Sequence, residues 1–221
     1  PVPTWEKMAF VDVKDLDGAL KKRMDGDKSE IKLFIRTLKA GSGKPDGGLE
    51  MLGKIIAADQ FTGNTDRFVP SDCTGKFVYN GKKISFQTIQ NLTNVFVAAT
   101  GATAAVSGID FVDGASAFKN IDQKITDIES GGIPWPFRVI ADKTQRNAFA
   151  AKIAADLELC LNPKKGSMNP FSKLGGDAAK RISKGMVMGA QLIKNKLDAK
   201  FKNPRSPGVI ERYAVVKDVK D

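Results

Sequence analysis

The sequence predicts an α+β protein, mainly helical, with one small β segment set between two helical parts. Three observations carry that expectation. Apolar residues recur at helical spacing toward both ends of the chain, while strand-like alternation is confined to the middle. The middle holds an Asn80-Gly81 pair between β-prone flanks in "GKFVYNGKKISF", a strong local signal for a tight hairpin. The order is helices, strands, helices, which suits a fold whose β part carries a site.

The elements follow in turn. Residues 12 to 24, "DVKDLDGALKKRM", and 29 to 40, "SEIKLFIRTLKA", read as helices. The second is opened by Ser29, with Glu30 in the first turn, where a carboxylate meets the positive end of the helix dipole. "GSGKPDGG" (41 to 48) is a loop, and its glycines and lysine lack the spacing of a phosphate-binding P-loop. A third helix, "LEMLGKIIAADQF", runs into the polar stretch "TGNTDRF". After the hairpin, "NVFVAA" and "AAVSGIDF" are two further strands joined by the small-residue turn "TGAT". From about residue 120 the helical spacing returns in "IDQKITDIES", "TQRNAFAAKIAADLELCL" and "DAAKRISKGMVMGAQLIKNKLDAKF", separated by Gly and Pro loops. This divides the chain into a helical N-terminal segment (1–50), a core with the hairpins (51–140) and a basic helical part (141–221).

Composition narrows the chemistry. The 221 residues include 42% hydrophobic and 27% charged side chains, enough for an ordinary buried core. No run approaches the roughly 20 apolar residues that a membrane helix needs, and no signal sequence opens the chain. Pro1 rather than Met stands first, as in a processed product or a piece of something longer. Histidine is absent and the two cysteines, Cys73 and Cys160, are far apart. That excludes a Cys/His zinc site and a His-dependent triad within one chain, and favours a reducing compartment. Acid–base work must then fall to Asp, Glu, Lys, Tyr or Cys. The net charge is +10, and residues 151–221 hold 15 Lys and Arg against 7 Asp and Glu. A basic end of this kind fits an anionic partner, or else is a solvated helical face.

Three short motifs stand in a chemically meaningful order: the loop "DQFTGNTDRF" with Asp66, "LTNVFV" with Asn94 directly before a strand, and "GIDFVDGASAF" with Asp110 at a strand's end. Phosphoryl transfer asks for such parts, a carboxylate for the acceptor hydroxyl and oxygen ligands for Mg²⁺ on the nucleotide phosphates. Together they resemble the atypical kinases, a group that includes actin-fragmin kinase and the phosphatidylinositol 4-kinases. There a "D-x-x-x-x-N-x-D-R" stretch replaces the His-Arg-Asp loop, and "I-D-x-G-x-A-F" carries a metal-binding Asp. Pro70 after the loop is closest to the actin-fragmin kinase version, and "IPWPFRVI" (133 to 140) is a weaker match to the lipid kinases.

The resemblance covers about residues 50 to 140. It implies a mainly helical kinase-like C-lobe in which Asp66 is the catalytic carboxylate and Arg67 a loop-stabilising or charge-balancing partner. Asn94 and Asp110 would bind Mg²⁺ on ATP, while Asp59 and Asn64 shape the loop. The implied reaction is phosphoryl transfer from ATP to a Ser or Thr of a protein, in the cytoplasm or in a host cytoplasm reached by an effector or toxin. Two features set conditions on it. Twenty-seven residues separate Asp66 from Asn94, so the Asn80-Gly81 hairpin must be an insertion that returns the chain, with Asn91 a rival for the role of Asn94. A Gly-rich N-lobe is missing from the first 50 residues and would come from an upstream segment or a separate polypeptide. The alternatives are an inactive pseudokinase, or a basic helical module that docks nucleic acid or an acidic protein through residues 164 to 212, with Lys180, Arg181 and Lys184 on its charged face.

Overall fold

Strand β1 (Asp12–Asp15) leads directly into α1 (Leu16–Met24), followed by α2 (Ser29–Lys39) and α3 (Gly48–Thr62). The β2 (Lys76–Tyr79) and β3 (Lys82–Ser85) hairpin comes next, then a 3-10 turn (Leu92–Asn94) and the β4 (Phe96–Thr100) and β5 (Thr103–Ser107) pair. Helices α4 (Trp135–Ala141), α5 (Lys143–Leu161) and α6 (Ala178–Lys200) complete the described elements. This computed structural model describes residues 12–42, 44, 47–62, 64–70, 75–100, 103–107, 135–162 and 173–200. The expected helix at 121 to 130, Cys73 and Asp110 lie outside them. The α+β class stands: helices dominate, and the strands form a two-stranded hairpin and a three-stranded antiparallel sheet ordered β1-β4-β5.

Two local expectations need correction. Residues 12–15 are a strand, paired from Asp12↔Ala99 to Asp15↔Phe96, and the helix begins only at Leu16. The cause is Asp15, whose extended backbone (φ −90°, ψ 157°) and side chain cap α1 by accepting from the Gly18 amide at 2.7 Å. At α2, Ser29 is the first helical residue rather than the cap, and its amide donates to Asp27 Oδ1 at 2.8 Å. The hairpin is as the Asn-Gly signal requires. Asn80 and Gly81 both take positive φ (47° and 72°), the twist that lets a two-residue turn join right-twisted strands.

The core is built from helix stripes. Leu16, Ala19 and Leu20 of α1, Ile31, Phe34 and Leu38 of α2, and Leu49, Leu52, Ile56 and Ala57 of α3 are buried together with Phe149, Ile153 and Leu157 of α5. Each such fully buried Leu, Ile or Phe stabilises the fold by roughly 1.5–3 kcal/mol. This one cluster draws on all three stretches of the chain, and α3 itself runs across residue 50. Helices α3 and α6 meet backbone to backbone. A Cβ at Gly53 would lie 2.7 Å from Gly185 Cα, and one at Gly185 would overlap the Glu50 main chain, so neither position has room for a side chain. Beside this contact Arg181 of α6 donates from Nε and Nη2 to Glu50 of α3 at 2.9 and 2.8 Å. Arg181 therefore does not belong to the exposed basic face with Lys180 and Lys184: it is buried against a carboxylate 131 residues away.

Candidate functional site

The loop after α3 is shaped from inside the helix. Asp59 and Gln60, near the end of α3, are buried and face the returning chain. Asp59 accepts from Arg67 Nε at 2.8 Å and from Arg67 Nη2, and from Asn64 Nδ2 at 3.1 Å. Its main-chain oxygen takes the Asn64 amide at 2.8 Å. Gln60 Nε2 donates to Phe68 O at 2.9 Å. Burial raises the Asp59 carboxyl above its ordinary value, opposed by the Arg67 and Asn64 hydrogen bonds that favour the carboxylate. Asn64 turns outward as well as inward, since its Oδ1 accepts the Asp66 amide at 3.0 Å in an Asx turn. The result is an exposed Asp66 beside a buried Arg67. Of the roles implied for Arg67, the geometry is that of the loop-holding partner: its guanidinium belongs to Asp59.

The next residues join the β segment. Phe68 and Ile89 form an isolated antiparallel bridge, both side chains fully buried. The Val69 amide donates to Thr88 O and the Gln90 amide to Arg67 O, each at 2.9 Å. The β2–β3 hairpin occupies the intervening chain, closed at its base by the Phe86 amide on Gly75 O at 3.0 Å. It thus takes up the long spacing between Asp66 and Asn94 and returns the chain to the loop.

Asn91 and Asn94 then divide their work. Asn91 Oδ1 accepts from the Thr93 amide at 3.0 Å and from Thr93 Oγ1 at 2.7 Å, so its side chain is used to start the 3-10 turn. Asn94 ends that turn, half-buried, immediately before β4. The β4–β5 register pairs Phe96 with Ser107. The chain accordingly leaves β5 at the hairpin end where Asn94 enters β4, three residues before Asp110 in sequence.

One residue that holds this arrangement is not flagged by motif. Asp156, fully buried on α5, accepts the amides of Gln87, Thr88 and Ile89 at 3.0, 2.6 and 3.2 Å and the Thr88 hydroxyl at 2.7 Å. It fastens to the helical frame the segment that pairs with Arg67, Phe68 and Val69. The signal available in the sequence is a lone acid on the apolar face of α5, between Ile153 and Cys160. Cys160 lies beside it, its thiol pushed well above the ordinary value by burial and by Asp156, and is an inert core residue.

Asn94 and Asp110, the latter outside the described residues, each carry a side-chain oxygen, the ligand type that a hard cation such as Mg²⁺ takes. Among the described residues no group of three or more His, Cys, Asp or Glu is placed to hold a metal, and no helix is long and apolar enough to cross a membrane. No protein-family model matches the chain. No curated protein and no solved structure is significantly similar to it.

Proposed function

We propose that this chain is the C-lobe of an atypical kinase that transfers a phosphoryl group from Mg²⁺-ATP to a Ser or Thr of a protein. The observation that carries the reading is the arrangement around Asp66. Asn64, Arg67 and Phe68 are tied to α3, and residues 87 to 89 are tied to α5, yet the Asp66 carboxylate is left exposed at the loop's tip. Leaving one acid in the open while its neighbours are fixed is an arrangement that suits a general base.

In this mechanism Asp66 accepts a hydrogen bond from the acceptor hydroxyl, orients its oxygen toward the γ-phosphorus and takes its proton as transfer proceeds. Asn94 and Asp110 would hold Mg²⁺, which would supply charge neutralisation to the nucleotide's phosphates. Asp59 and Arg67 keep the loop's backbone in place and touch neither substrate. The N-lobe that covers the nucleotide comes from a further segment of the polypeptide or a partner chain. The cytoplasm, of the producing cell or of a host, is the compartment in which ATP and a protein acceptor meet this site.

The test is transfer of labelled γ-phosphate from Mg²⁺-ATP, measured on the natural full-length polypeptide with any chain that co-purifies. Asp66→Asn is expected to lower transfer about 10²- to 10⁴-fold with Mg²⁺-ATP binding kept, as for loss of a positioned base. Asp110→Asn is expected to remove Mg²⁺-dependent nucleotide binding. Undiminished transfer by Asp66→Asn overturns the assignment. Nucleotide binding without transfer in the unaltered protein would make it a pseudokinase.

A further inference from the structure

The basic C-terminal part resolves into two populations of cations. Arg181 is consumed by Glu50, whereas Lys180 and Lys184 face a groove of about 540 Å³ between α5 and α6. Lys143 and Arg146 line the opposite wall from α5. Four cations thus line one depression, and among the described residues that line it there is no carboxylate. Lys180 and Lys184 stand one helical turn apart, a like-charge spacing that weakens a helix unless something anionic lies between them.

The groove has a fixed part and an adaptable part. Arg146 is only 2% exposed, with Nη1 2.8 Å from Ile140 O and Nε 3.4 Å from Ser183 Oγ. Ser183 in turn donates to Asn147 Oδ1 at 2.6 Å, which leaves the Asn147 amide nitrogen as a further donor. The three lysines are exposed and end in mobile ammonium groups. Ala179 and Val187 give the depression an apolar component, against which a ligand's uncharged body can rest.

We infer that this groove binds a small molecule carrying several phosphate groups. Its volume falls within the roughly 300–1,000 Å³ of small-molecule sites. Its cations are gathered in one place rather than strung along a face as phosphate-backbone tracking on a nucleic acid requires. Lysine ammonium groups around a guanidinium are the donor set that phosphate esters select. The site shares no residue with the Asp66 loop and does not rest on the phosphotransfer reading.

Isothermal titration with inositol hexakisphosphate as probe, in EDTA to silence metal–nucleotide binding, tests this. One saturable site per chain is expected. The exposed double variant Lys180→Ala/Lys184→Ala should bind at least about tenfold more weakly, the scale of lost charge-assisted hydrogen bonds. Lys82→Ala/Lys83→Ala on the hairpin, equally exposed, should leave affinity unchanged. Thermal melting checks that each variant is folded, and Lys143→Ala replaces the double variant if that one is not. Absence of saturable binding, or equal weakening by the hairpin variant, overturns the site. Tighter binding of a 20-nucleotide single strand or of phosphatidylserine vesicles than of the probe overturns the small-ligand assignment.

Discussion

Helix α3 carries a buried carboxylate near each end. Glu50, in its first turn, holds Arg181 of α6 from the far side of the sequence, while Asp59, near its last turn, holds Arg67 only eight residues on. Both are bidentate, and both are nearly inaccessible to water. They differ in what each closes. The Glu50–Arg181 pair sits beside the glycine contact of α3 with α6, so it can open only if the helical frame comes apart. The Asp59–Arg67 pair closes a short loop and can open with that loop alone. Identical chemistry therefore serves global stability at one end of the helix and local order at the other.

The sharpest way to break this comparison is Glu50→Ala, which leaves the Arg181 guanidinium buried without its partner. Urea denaturation should show a loss of about 3–5 kcal/mol in global stability, and a loss under about 1 kcal/mol would class the pair with surface ion pairs. Next in size is Asp156→Ala, which strips the acceptor from three amides and a hydroxyl. It should cost about 2–3 kcal/mol, and hydrogen exchange at residues 87 to 90 should quicken before that of α3 and α6.

Arg67→Leu probes the local end directly, at about 2 kcal/mol near neutral pH. Its pH dependence has a definite sign. Burial already raises the Asp59 carboxyl above its ordinary 3.8, and removing Arg67 raises it further. A group raised in the fold contributes stability below its unfolded value that is lost as pH rises through the folded value. The variant should therefore be least destabilised in acid and progressively more so toward neutrality, seen as a widening Tm gap from the unaltered protein. Smallest is Asp27→Asn at the exposed start of α2. Hydrogen bonds from Ser29 hold Asp27 below its ordinary 3.8, so its stabilisation exists above that value and fades as pH falls through the folded one. The Tm difference between Asp27→Asn and the unaltered protein should shrink on acidification, and a constant difference would remove Asp27 from the capping of α2.

What could be read from the sequence was whatever is encoded locally. The Asn80-Gly81 turn is legible because two adjacent positive φ values demand that pair, and α2, α5 and α6 are legible from their apolar stripes. Strand β1 is not, because Asp12–Asp15 is a strand only by virtue of β4, and its own residues suit a helix start equally well. Arg181 cannot be told from Lys180 and Lys184 by spacing, since its partner Glu50 lies on another helix. In the candidate site the order Asp66, Asn94, Asp110 was readable. The return of the chain to the Asp66 loop was not, because the Phe68–Ile89 bridge and the Asp156 anchor are contacts between distant segments.

The β2–β3 hairpin has a practical side. Its base is closed by Gly75 and Phe86 and steadied by buried Phe77, while Tyr79 reaches the end of α1 through Asp25 at 2.9 Å. At its tip, no atom of the described residues beyond its chain neighbours lies within 4 Å of where a Gly81 side chain would start. A foreign peptide spliced between Asn80 and Gly81 would lengthen a loop already closed from below, at a small entropic cost. The hairpin is thus a natural place to attach a reporter.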